Sequence, residues 1–355
     1  MISSSSIKTV ICPARVNLIG DHTDYADGLA LPVAVNLFTV ATYLKEEGVK
    51  SLYISTDADK LYDNFREVTS DKVSPDTSDQ LAKFTIAAQR LLKSELHGKI
   101  KFTSSIPIGA GLSSSASFSL TLLLTFKTFN DKMVLAKAAQ QVEHIATNNQ
   151  TGLLDQMAIV FAKENFATLI NFATETVENI KFPEEIQIIV IHSEVKRQLS
   201  NSEYSKRFSS VKNIENIVGK FNNLEVGDLT SIKDYDLFKL ARHIVTENSR
   251  VKHFASELTS TNYESLGEIM EESHESLSKD YGVSLPQIDE LVLEINRLPG
   301  VIGSRMTGGG FGGCIVALAY KDAIKELKNK YNLPNRIWYL EPEGGPKILY
   351  NKSTL

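Results

Sequence analysis

The sequence predicts an α+β protein in two halves, on three observations. Runs rich in β-branched residues, such as "IKTVIC", "LALPVAVNLFTVATYL" and "IQIIVIH", read as strands and are interspersed with stretches of helical apolar spacing. A chain of 355 residues with 42% hydrophobic and 23% charged residues can bury a sizeable core, and its length favours two domains or one large one. Three glycine- and serine-rich stretches sit where such elements meet, the usual address of a binding site.

The elements follow in order. Residues 1–7 read as a disordered tail. "IKTVIC" and "LALPVAVNLFTVATYL" are strands, the second with a Pro near its start, so the polar stretch between them connects two strands. Residues 50–78 mix charge, Asp, Ser and a Pro and read as a partly exposed excursion. "DQLAKFTIAAQRLLKSEL" has helical spacing, "KIKFTSSIPIG" is a strand, and "SFSLTLLLTFKTF" is a helix so apolar that it must be central. "DKMVLAKAAQQVEHIAT" is a helix with an Asp at its start. After "IQIIVIH" come helical patterns near 202–218, 234–248, 262–278 and 286–297, then "CIVALAY" as a strand and "KDAIKELKNKY" as a helix. This pattern divides the chain into 1–185 and 186–355.

Charge and cysteine content exclude several classes. The net charge is −5, from 38 Lys+Arg against 43 Asp+Glu, with no dense basic run, so the footprint of a nucleic-acid binder is missing. Cys12 and Cys314 make neither a disulfide framework nor a zinc signature. The opening "MISSSSIKTVIC" has no signal-like apolar region, and runs such as "LTLLL" fall far short of a membrane span. The expectation is a cytoplasmic protein with small-molecule partners, no nucleic acid and no membrane, as a monomer or weak oligomer.

Four stretches carry chemistry. "PARVNLIGDHTDYADGLALPVAVN" crowds Arg15, Asn17, Asp21, His22, Thr23, Asp24 and Tyr25 into eleven positions; a polar surface loop is the plain explanation, but the apolar flanks point to burial. "PIGAGLSSSASFSL" follows a strand and opens the apolar helix. There, Gly109 and Gly111 let the backbone turn and the unpaired N–H groups of a first helical turn make an anion site, with a Ser-rich N-cap as the alternative. It is not a P-loop, since no Gly-Lys-Ser/Thr follows. "NNQTGLLDQMAIVFA" places Gly152 and Asp155 after a helix carrying Glu143 and His144, and Asp155 taken alone reads as an N-cap. "GSRMTGGGFGGCIVAL" has five glycines in six positions around Phe311. Such density points to close backbone approach at a site, and the run precedes a strand, unlike a dinucleotide fingerprint.

Together these motifs resemble the GHMP kinase superfamily and, within it, the galactokinase family. "RVNLIGDHTDYADGLALP" is similar to the family signature, "PIGAGLSSSAS" to the superfamily's phosphate-binding motif and "GSRMTGGGFGGC" to its third motif, with "QQVEHIA", "GLLDQ", "SNSEY", "ARHIV" and "ESHESLSKDYGVSLPQIDELV" between them. The resemblance implies a two-domain fold, N-terminal half like ribosomal protein S5 domain 2 and C-terminal half ferredoxin-like, with the site in the cleft between them. It implies transfer of the γ-phosphoryl group of ATP, with Mg2+, to the anomeric hydroxyl of α-D-galactose. By the same resemblance Arg15 and Asp155 are the catalytic pair, and Asp21, His22, Asp24, Gly152, Asp155 and Tyr204 contact the sugar. Gly109, Ala110, Gly111, Leu112, Ser113, Ser114 and Ser115 cradle the phosphates, and Ser115 and Glu143 hold the magnesium. A dense array of sugar hydroxyls requires such polar side chains at fixed angles, because each mismatch leaves a buried group unpaired.

The chain departs from the family at Asp21, where Glu is usual, at Thr151, where Cys is usual, and at Leu153-Leu154, where Ile-Met is usual. The shorter Asp21 bears on sugar preference. N-acetylgalactosamine or L-arabinose kinases alter the HTDY region, which is intact here, and galactose sensors lack the Ser-Ala pair present as Ser115-Ala116. His192, His243 and His274 read as structural, and Arg242 and Glu247 as a surface ion pair.

Overall fold

The computed structural model describes residues 6–45, 51–56, 66–68, 79–93, 97–107, 109–195, 200–325, 328 and 336–352, with backbone alone at 6, 66, 200–204 and 351–352. A long antiparallel pair, β1 (Ser6–Asn17) and β3 (Pro32–Leu44), forms its centre. The register slips between Pro13 and Ala14, where proline has no N–H for the ladder. The two-residue β2 (Leu29–Ala30) leads into β3. β6 (Gly98–Ser104), β4 (Leu52–Thr56), β5 (Arg66–Val68) and the C-terminal β13 (Lys347–Lys352) complete a six-stranded sheet in the order β13-β1-β3-β6-β4-β5.

Helices α1 (Gln80–Leu92), α2 (Ser114–Phe126), α3 (Lys132–Thr147) and α4 (Leu154–Val160) gather on that sheet. Helix α2 touches β1 and β3 on one side and α1, α3 and α4 on the others, which explains why its sequence shows no polar face. Its threonines bond backward, Thr121 to the Ser117 carbonyl and Thr125 to the Thr121 carbonyl, while Ser117 Oγ donates to the Cys12 carbonyl on β1 at 3.0 Å. Asp131 caps α3 as its sequence predicts, accepting from the Met133 and Val134 N–H groups.

A small sheet of β2, β7 (Phe166–Asn171) and β8 (Thr176–Lys181) leads to the second half. There β9 (Ile186–His192), β10 (Val301–Thr307), β11 (Cys314–Tyr320) and β12 (Ile337–Leu340) pair antiparallel in the order β10-β11-β9-β12. Strands β9 and β11 are buried along almost their whole length, hence their unbroken apolar runs. Helices α5 (Ser200–Val218), α6 (Tyr235–Ser260), α7 (Tyr263–Lys279) and α8 (Pro286–Asn296) complete this half. One apolar cluster joins Val16, Leu18 and Leu31 to Phe254, Val316 and Leu340, so the halves share a core. Both cysteines are buried and neither is in a disulfide, and no helix among the described residues is long and apolar enough to cross a membrane.

Three sequence expectations are corrected. The tail ends earlier than residue 7, since β1 starts at Ser6 with Lys352 opposite. The excursion at 50–78 contains β4 and β5, strands of five and three residues at one side of the sheet, too short to stand out beside the charged and Asp/Ser-rich residues around them; residues 50, 57–65 and 69–78 lie outside the described ones. The C-terminal helix is not among these corrections: it opens with a 3-10 turn at Lys321–Ala323 and is helical at Ile324, Lys325 and Lys328, its other residues lying outside the described ones. Arg242 and Glu247 do not pair: five residues apart they face different directions, Arg242 bonding Asp280 and Glu247 being fully buried with Arg250.

Candidate active site

The loop from Leu18 to Gly28 connects β1 to β2. It turns at Gly20, whose φ is +95° and where a Cβ would meet the Ala30 Cα at 2.5 Å, so only glycine fits. Irregular buried backbone needs partners for its N–H and C=O groups, and here they come from the other half of the chain. Arg305 Nη1 donates to the Leu18 carbonyl at 3.0 Å, the Gly20 N–H donates to Glu247 Oε1 at 3.0 Å, and His243 Nε2 lies 3.1 Å from the Asp21 carbonyl. The Leu29 N–H donates to Asn248 Oδ1 at 2.9 Å, and Thr307 Oγ1 donates to the Asn17 carbonyl at 2.9 Å.

Asp21 is buried with both oxygens engaged: Oδ1 accepts from the Gly308 N–H at 2.9 Å and Oδ2 pairs with Arg305 Nη1 at 2.7 Å. Burial alone would raise the Glu247 carboxyl, but Arg250 and Arg305 hold it down at about 2. His22 has a φ of +64°, and its Nδ1 lies 2.8 Å from the Tyr25 hydroxyl, itself 2.7 Å from the Tyr281 hydroxyl. Burial, with His243 and Arg207 nearby, lowers His22 to about 3, so it is a neutral imidazole at ordinary pH.

The opposite wall holds the second constellation. Arg15, on β1, donates from Nε to Asp155 Oδ1 at 2.8 Å and also pairs with it through Nη2, while Nη1 donates to the Gly111 carbonyl at 2.6 Å. Ser113 Oγ donates to Asp155 Oδ2 at 2.6 Å. Asp155 lies in the first turn of α4, so the N-cap alternative is not realised; its carboxylate is spent on Arg15 and Ser113. The Ser-rich N-cap also fails in its simple form, because Ser113 stands at the cap of α2 with φ +59° and makes no capping bond. Gly109 and Gly111, with φ of +78° and +75°, form the turn before it.

Ser115 Oγ donates to Glu143 Oε1, and Gln156 Nε2 donates to Glu143 Oε2 at 2.8 Å. Burial and the nearby Asp155 raise Glu143 to about 7. Asp24 is likewise raised to about 7, first by burial and then by Asp155, although it accepts from the Leu154 N–H. The turn carrying Gly152 is clamped from α3: Gln140 Nε2 donates to the Thr151 carbonyl and His144 Nε2 accepts from the Thr151 N–H, both at 2.9 Å.

These groups line one cleft of about 480 Å³. It brings together Arg15, Asp21, His22, Asp24, Gly109, Gly111, Ser113, Ser114, Ser115, Glu143, Gly152 and Asp155, with Gly308 to Gly310 of the third glycine stretch on its wall. Ala110 and Leu112 are buried in the core beneath it and offer the site backbone only. The Tyr204 side chain lies outside the described residues, although its neighbour Ser205 reaches the cleft. Gln80, Lys83 and Thr147, outside the four stretches singled out in the sequence, also line it, as do Asn149 and Gln150 of the stretch that carries Gly152.

The profile described as "Galactokinase galactose-binding signature" matches residues 3–44, "GHMP kinases N terminal domain" residues 81–163 and "GHMP kinases C terminal" residues 254–335. A galactokinase from Thermotoga neapolitana is 34% identical over 91% of this chain and 93% of its own, and the Homo sapiens galactokinase is 32% identical over 96% and 92%. The chain belongs to the galactokinase family. Among solved structures, the Lactococcus lactis galactokinase complexed with galactose superposes with a TM-score of 0.84 at 26% identity, covering 96% of this chain and 95% of that one. The fold extends beyond galactokinases: the Methanococcus jannaschii mevalonate kinase superposes at 0.67 with 21% identity, over 95% of this chain and 98% of its own. With both GHMP halves in place, this member of the galactokinase family is an ATP-dependent sugar kinase.

Proposed function

We propose that the cleft transfers the γ-phosphoryl group of ATP to the C1 hydroxyl of α-D-galactose, giving galactose 1-phosphate and ADP. The observation that carries this reading is the Asp155 carboxylate, fixed by Arg15 and Ser113 at the wall of a cleft whose other side is the polar loop bearing His22 and Asp24. The bond formed joins the anomeric oxygen to the γ-phosphorus; the bond broken is that to the β–γ bridging oxygen. Asp155 orients the anomeric hydroxyl and takes its proton as the new bond forms, and Arg15 balances charge building on the transferred group. The turn from Gly109 to Ser115 supplies amides and hydroxyls to the phosphates at the start of α2. Asp21, His22, Asp24, Gly152 and Tyr204 read the sugar, with Asp21 offering only the lone pairs that Arg305 and Gly308 leave.

Magnesium fits two of these residues. Ser115 and Glu143 present adjacent hard oxygens at the cleft, few enough that an ion would keep waters and phosphate oxygens as its remaining ligands. When bound there it would neutralise phosphate charge. Two buried cysteines without a disulfide accord with a reducing, cytoplasmic setting, and we take the chain to act as a monomer or weak oligomer on small molecules alone. A monosaccharide panel with MgATP, scored for ADP release, tests the reading: release with galactose supports it, and release only with another sugar replaces it.

A further inference from the structure

We propose that Arg305 on β10 and Glu247 on α6 are positioning residues for sugar recognition: from the second half of the chain they set where the sugar loop stands. The inference rests on the sugar-kinase reading and adds what shapes the loop that reads the sugar. Both side chains are 0% exposed, so neither touches a ligand, yet both bond the loop: Arg305 at the Leu18 carbonyl and the Asp21 carboxylate, Glu247 at the Gly20 N–H.

Arg305 also lies 3.8 Å from Glu247, which places Asp21, Arg305 and Glu247 in one buried charge network. Such networks add little net stability over apolar packing, because desolvation offsets the attraction; what they do supply is fixed geometry. The network is itself locked. Ser273 Oγ donates to Glu247 Oε1 at 2.7 Å and Arg250 Nε to Oε2 at 2.8 Å. One helical turn before Glu247, His243 sits at the Asp21 carbonyl with its Nδ1 2.9 Å from Ser276 Oγ. Through Gly308, Asp21 then ties the loop to the third glycine stretch, which also lines the cleft. A sugar that enters the cleft meets a loop held in place by Arg305 and Glu247, two side chains it never touches.

Arg305→Lys keeps the charge but cannot serve a carbonyl and two carboxylates from one planar fork. Glu247→Gln keeps the shape and an acceptor for Gly20 while removing the charge that Arg305 and Arg250 face. Each variant is read by KM and kcat for galactose, by the galactose-to-glucose ratio of kcat/KM, and by melting temperature. Displacement of the loop by a fraction of an ångström predicts a galactose KM raised about tenfold and a reduced epimer ratio in both variants, with the KM for ATP moving far less. A purely structural role predicts a lower melting temperature with galactose KM and epimer ratio as in the wild type, and that result overturns the proposal. Should Arg305→Lys fail to fold, the near-isosteric Glu247→Gln decides by the same criteria. Wild-type protein that phosphorylates no galactose contradicts the parent reading instead.

Discussion

Asp24 and Gly152 are in such close contact that a Cβ at position 152 would fall 1.6 Å from Asp24 Oδ2 and 2.2 Å from its Cγ. The glycine is therefore the space in which the Asp24 carboxylate stands, which joins the sugar loop to the turn that leads into Asp155. Gly152→Ala should displace Asp24 and lower kcat/KM for galactose by about two orders of magnitude, the cost of misplacing a site group by an ångström. Steady-state kinetics checks this, and an alanine variant with wild-type kinetics would show that Asp24 is not needed where it stands.

Asp155→Asn keeps the shape of the side chain and removes its charge. If Asp155 serves the transferring group, kcat should fall by about two or more orders of magnitude while galactose binding, followed by calorimetry, persists. Ser113→Ala leaves the Arg15 bonds in place and should cost less, since it removes one of the donors orienting the carboxylate.

The Ser115 hydroxyl meets Glu143 and does not cap α2, so its loss should be felt in metal dependence. Ser115→Ala and Glu143→Ala are each expected to raise the magnesium concentration needed for half-maximal rate. A stability loss with an unchanged magnesium titration would return Ser115 to a structural role.

The raised Asp24 carboxyl predicts a pH dependence of stability. Its native value of about 7 stands above the ordinary 3.8, so the folded state holds this proton more tightly than the unfolded chain does. That contribution is complete below about pH 4 and is lost as pH rises toward about 7. In ligand-free protein, the melting temperature of Asp24→Asn should therefore fall less than that of the wild type between pH 4.5 and 8 (roughly the span of that titration). Parallel curves would mean that Asp24 ionises as an ordinary carboxylate.

Much of the molecule is legible in the sequence because the strongest signals are local. The apolar α2, the Asp131 cap of α3, and the buried strands β9 and β11 follow from spacing and residue type alone. The motifs holding Arg15, Ser113, Glu143 and Asp155 announce themselves by glycine, serine and charge density, and the fold brings them to one cleft. What the sequence hides is long-range pairing. Arg305 and Glu247 sit in an ordinary strand and an ordinary helix, more than two hundred residues from the loop they bond, and no period links them to Asp21 or Gly20. The same limit misassigned Glu247 to Arg242 and left β13 unplaced, since its partner β1 lies at the other end of the chain.

The most direct measurement is a phosphorus NMR and ADP-release assay with MgATP and galactose, glucose, N-acetylgalactosamine and L-arabinose in turn. The expected result is one new sugar 1-phosphate signal with galactose, matched mole for mole by ADP, and little or none with the C4 epimer glucose. Equal turnover of glucose, or binding of galactose and ATP with no phosphoryl transfer, would contradict it.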